Sequence, residues 1–81
     1  MNADYLFKRL GYQHKKSKML NYEEYAKEEK GGIAIISFDG NSKTIMNWFA
    51  QTGEMRSRGL AMTPQEVIAI AMKVKELRWD E

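Results

Sequence analysis

The chain has no cysteine and a single histidine, His14, among its 81 residues. Without cysteine there are no disulfides and no thiolate zinc sites, and one imidazole gives no basis for a histidine-rich metal site. No apolar run approaches the roughly 20 residues that span a bilayer. Asp4, Lys8 and Arg9 break up the N-terminal apolar stretch, so no secretory signal is expected and the cytoplasm is the expected compartment. Walker and dinucleotide fingerprints are missing, and no phosphate-binding helix follows Gly31-Gly32. Asp39-Gly40-Asn41 lacks the further oxygen ligands of a calcium loop and reads as a turn. Ser17 and His14 stand three apart in a lysine-rich stretch with nothing beside them in sequence to orient the imidazole. Glu23/Glu24 and Glu28/Glu29 are adjacent pairs, which on a strand point to opposite faces and read as solubilising charges. No cofactor, metal or small-molecule ligand is implied, and the expectation is a protein without enzymatic activity.

The composition is that of an ordinary globule, 43% hydrophobic and 30% charged, and residues 1–81 read as one small domain. At this size folding removes only about 60–65% of the unfolded chain's surface from water, which leaves a thin stability margin. With disulfides and metals set aside, a homodimer is the stabiliser that the composition leaves open. The net charge of +2 is small but unevenly placed. From Leu6 to Asn21 there is no acid, while Lys8, Arg9, Lys15, Lys16 and Lys18 are basic; Glu23, Glu24, Glu28 and Glu29 then reverse the sign.

Residues 2–10 read as a short helix. Asn2 is its N-cap, Ala3, Leu6, Phe7 and Leu10 form one stripe, and Gly11 stands at C′. Residues 12–20 read as a polar connection with His14 solvated among lysines. Segment 21–30 has helical propensity, but Gly31-Gly32 joins it directly to the clear strand 33–38, a hairpin signal that favours strand. A two-residue Gly40-Asn41 turn leads to a return strand over 43–50, pairing Ile36 with Ile45, Phe38 with Lys43, Ile35 with Met46 and Ile33 with Trp48. Apolar side chains then point to both faces. Residues 51–59 read as a polar loop and 60–62 as a short edge strand. Thr63-Pro64-Gln65-Glu66 fits a capping box opening a helix over 64–78, with Val67, Ile70, Ala71, Val74 and Leu77 as its core stripe and Ile68, Met72 and Trp79 on one flank. The expected fold is α+β: an N-terminal helix, an antiparallel meander of two or three strands, and a C-terminal helix packed on the sheet.

Several segments together carry a family resemblance: Leu6-Phe7-Lys8-Arg9-Leu10-Gly11-Tyr12, Tyr22-Glu23-Glu24-Tyr25, Ile36-Ser37-Phe38, Thr63 through Ile70, and Glu76-Leu77-Arg78-Trp79. In these the chain resembles small proteins of unknown function encoded by phages and prophages of Gram-positive bacteria. Arg78 stands where that pattern has glycine. The resemblance supports a strand over 21–30, implies a phage or prophage accessory protein in a bacterial host, and transfers no functional residue.

Two surfaces invite a binding role. If the helices cover one sheet face, Ile33, Ile35, Met46 and Trp48 form an apolar patch of roughly 300–500 Å² on the other, suited to another protein or a second copy. The alternative is that the helices straddle the sheet, or that Trp48 and Trp79 close over that face. The second surface is basic: Lys15, Lys16 and Lys18, joined by Arg56 and Arg58 if the two loops meet, with Tyr12 and Trp48 as stacking partners for nucleic acid. Contact with a protein is the leading expectation and nucleic-acid binding the alternative.

Overall fold

Asn2 opens the first helix, its side chain accepting the Tyr5 amide at 2.8 Å. The computed structural model describes residues 2–53 and 57–81. Helix α1 spans Ala3–Arg9, and Gly11, with φ +95°, turns the chain out of it. Ala3 and Phe7 are buried, with Leu6 and Leu10 packed beside them, as the stripe predicts.

Five antiparallel strands follow among the described residues: β1 Gln13–Ser17, β2 Tyr22–Glu29, β3 Gly32–Asp39, β4 Thr44–Gln51 and β5 Ser57–Gly59. They pair in chain order, a plain meander. Helix α2, Pro64–Glu76, closes the chain with the expected capping box: Thr63 Oγ1 accepts from the Glu66 amide at 3.3 Å, and Glu66 Oε1 accepts from the Thr63 amide at 2.8 Å. The α+β class and both helices are as expected, and segment 21–30 is a strand.

The sheet is wider than the two or three strands expected. The connection over 12–20 contains β1, which pairs Gln13 with Ala26 through to Ser17 with Tyr22. Its run of polar residues hides it, because both of its faces are largely solvated and hydrophobic alternation is absent. The final strand is Ser57–Gly59 rather than 60–62, and residues 54–56 lie outside the described residues.

The β3–β4 register also differs. Residues 40–43 form a four-residue turn, with Lys43 at φ +55° and Asp39 Oδ1 accepting from the Asn41 amide. Phe38 therefore pairs with Ile45, Ile36 with Asn47, Ile35 with Trp48 and Ile33 with Ala50. A slip of two residues preserves the facing of every side chain, so the division into two faces survives the correction.

Both helices lie on one face of this sheet. Phe7 stacks on Tyr25 at 3.9 Å between ring centroids, and Trp79 leans on Phe38 at 6.1 Å. The core contains Phe7, Tyr12, Tyr25, Ala34, Ile36, Phe38 and Phe49. Helix α2 is turned from its expected orientation: Glu66, Ala69 and Lys73 are its buried residues, while Val67 and Ala71 of the expected stripe are exposed. The reason is polar: Glu66 and Lys73 each find a buried partner on the sheet side.

Candidate functional site

Strand alternation sends Glu23, Tyr25 and His14 toward the helices, where they meet a charged network. Glu23 Oε1 accepts from Lys73 Nζ and from His14 Nε2, both at 2.8 Å. The Tyr25 hydroxyl donates to Asp4, whose carboxylate also lies 3.7 Å from Lys73 Nζ and 4.0 Å from His14 Nδ1. The imidazole stacks on the Tyr25 ring at 4.7 Å. Nearby, the Tyr12 hydroxyl donates to Glu66, joining the start of α2 to the residue preceding β1. Sequence reading misses this network, because its members lie up to 69 positions apart, from Asp4 to Lys73. His14 is a strand residue held between carboxylates rather than a loop histidine, although still exposed, and Glu23 is a buried ion-pair partner, not a solubilising charge.

The titration of these groups follows from their surroundings. Burial alone raises the Glu23 carboxyl, but the hydrogen bonds from Lys73 and His14 outweigh it and hold the group below the ordinary glutamate range. Asp4 behaves likewise: burial raises it, while the Tyr25 hydroxyl and the Lys73 and His14 charges lower it further. Glu66 is lowered by Tyr12 and Thr63 against its own burial. Tyr12 and Tyr25 are pushed up by burial and by the carboxylates that accept from them. These donors and acceptors satisfy one another, and no buried side-chain polar atom among the described residues lacks a partner. Chemically the network is a clamp that fixes α1 and α2 to the sheet. No group of three or more potential metal-ligating residues occurs among the described residues.

Among the described residues, no helix lies on the opposite sheet face. Along its rows, Ala26, Ile35 and Trp48 lie side by side, Ser37 neighbours Met46, and Ile33 neighbours Ala50. Met46 is 62% exposed and Ile33 40%, while Ile35 and Trp48 are half-buried. The four expected contact residues thus occupy one face, on β3 and β4, and Trp79 packs on the other. Toward β1 the same face turns polar, where Gln13, Lys15 and Glu28 join Ala26 and Ile33 around a hollow of about 330 Å³.

The basic residues are dispersed. Lys15 and Lys16 are exposed on β1, and Lys18 is exposed in the turn that follows. Arg58 belongs to β5, on the opposite edge of the sheet and about 19 Å away at the usual strand spacing. Arg56 lies outside the described residues. Tyr12, expected as a stacking platform, is 3% exposed with Lys27 Nζ over its ring at 4.7 Å. Trp48 is on β4, three strands from the β1 lysines.

Compared with known protein families, curated proteins and solved structures, the chain matches none. No helix among the described residues is long and apolar enough to cross a membrane.

Proposed function

We propose that this protein works by protein–protein contact through its bare sheet face, and that the first partner of that face is a second copy of the chain. The observation that carries the reading is the strip of Ile33, Ile35, Met46 and Trp48, gathered on two central strands with no helix of the described residues over it. An isologous contact suits this strip. A two-fold axis between β3 and β4, parallel to both, sets Ile35 of each copy over Trp48 of the other, and Ser37 over Met46. The charges of β1 and β2 on that face, Lys15, Glu24 and Glu28, then fall over the short β5 edge or beyond it, and Asp39, at the end of β3 on the same face, falls over Thr44 at the rim of the contact. Two sheets stacked about 10 Å apart form a β-sandwich core with a helical layer on each outer side. The second copy supplies the stabilisation that a small chain without disulfides lacks.

This is a non-enzymatic role, and the phage or prophage setting implied by the sequence resemblance belongs to the same proposal, as does the cytoplasm as its site of action. The test is association measured for the wild type, Trp48→Ser and Ile35→Asp. Loss of association in both variants, with unchanged circular dichroism, supports the reading. Equal association in all three assigns the contact elsewhere.

A further inference from the structure

We propose that the outer edge of β1 accepts an acidic, extended segment of another protein, which joins the sheet beside Gln13–Ser17 with two adjacent carboxylates against Lys15 and Lys16. The surface is distinct from the apolar strip and does not depend on it. Among the described residues β1 pairs with β2 on one side only, so on its outer side the backbone N–H and C=O groups of alternate residues have no strand partner there. Four of its five residues are exposed and the fifth is half-buried. The opposite edge, β5, is only three residues long.

The inner neighbour shows what this strand selects. β2 lays Glu24 opposite Lys15 and Glu23 opposite Lys16, a Glu-Glu pair against a Lys-Lys pair in antiparallel register. Those carboxylates are engaged elsewhere: Glu23 by Lys73 and His14, and Glu24 by the Tyr22 hydroxyl at 3.0 Å. Among the described residues Lys15, Lys16 and Lys18 make no salt bridge. Lysine on an edge strand opposes indiscriminate pairing. A second copy pairing antiparallel across all five residues would set Lys15 against Lys15, and like charges directly opposite repel. The edge thus rejects itself and basic strands and favours an acidic one. A polypeptide fits it better than nucleic acid, since it offers free backbone groups while the nearby Tyr12 ring is buried.

The probe is a capped hexapeptide, Thr-Val-Glu-Glu-Val-Thr, titrated into the full chain and followed through backbone amide resonances. The controls are the same peptide with Lys-Lys for Glu-Glu, one with proline for both valines, and a single-stranded thymidine oligonucleotide. The expected result is shifts and slowed amide exchange confined to residues 13–17, at least about tenfold weaker binding of the lysine and proline peptides, and reversal of the charge preference in Lys15→Glu/Lys16→Glu. Because Lys16 also lies near Glu23, Lys15→Glu alone is measured too, with circular dichroism as the check on folding; it should weaken the acidic peptide severalfold. No shift at 13–17, or equal binding of the proline peptide, overturns the proposal. Tighter binding of the oligonucleotide at the same lysines also overturns it and assigns the edge to nucleic acid.

Discussion

Lys73 and Glu23, fifty positions apart, meet at 2.8 Å between α2 and β2, with side chains only 8% and 9% exposed. Removing one member leaves the other charged and buried. Lys73→Met and Glu23→Leu are each expected to destabilise the fold by about 3–5 kcal/mol, and the double variant by clearly less than their sum. Urea unfolding of the four proteins measures this. A double variant as unstable as the sum of the singles would mean that the pair contributes nothing as a pair.

The carboxylates predict how stability depends on pH. Asp4, Glu23 and Glu66 bind a proton more weakly in the fold than in the unfolded chain. Their contribution is therefore complete above the ordinary carboxylate range of about pH 4 and is lost as pH falls through the lower folded values. The urea midpoint should stay level from pH 7 to about 5 and fall below about 4. At the alkaline end, the raised Tyr12 and Tyr25 hydroxyls remain protonated in the fold while those of the unfolded chain ionise near pH 10, so stability declines above that point. Denaturant titrations across the pH range check both limbs.

Arg78 has φ +61°, the left-handed conformation that ends α2's last turns and costs a residue with a Cβ about 1–2 kcal/mol. Its bidentate pair with Glu81, at 2.8 and 2.9 Å, is exposed and returns little. Arg78→Gly is expected to stabilise the protein by up to about 1 kcal/mol, read as a raised midpoint in thermal or urea unfolding.

Much of the fold was legible because it rests on local signals. Asn2 and Thr63 cap their helices, Lys30-Gly31 turns the chain between β2 and β3 beside the glycine pair that signalled a hairpin, and IAIISF is a strand by composition alone. What stayed hidden was set by contacts distant in sequence. β1 has no apolar face to announce it, since its partners are the charged β2 and the solvent. The rotation of α2 follows from Glu66 and Lys73 reaching Tyr12 and Glu23, which no helical periodicity encodes. The bare apolar face was readable because period-two alternation survives a two-residue error in register, whereas a single basic patch depended on where two loops met, and β1 and β5 proved to be opposite edges.

Gly32 lies in β3 opposite Gln51, where a Cβ would collide with the Ala50 carbonyl oxygen. Gly32→Ala must push β3 and β4 apart, and a loss of about 2–3 kcal/mol is expected. At Gly31 a Cβ would meet open space but inherit φ +88°, so Gly31→Ala should cost only about 1–2 kcal/mol. Parallel urea unfolding of the two variants distinguishes the close approach from the backbone preference.

Self-association through the bare face of β3 and β4 is measured by sedimentation velocity over a concentration series, comparing the wild type with Ile35→Asp. The expected result is a concentration-dependent monomer–dimer equilibrium for the wild type and a monomer at every concentration for a variant whose circular dichroism is unchanged. A wild type that stays monomeric throughout, or an Ile35→Asp variant that dimerises equally well, would contradict it.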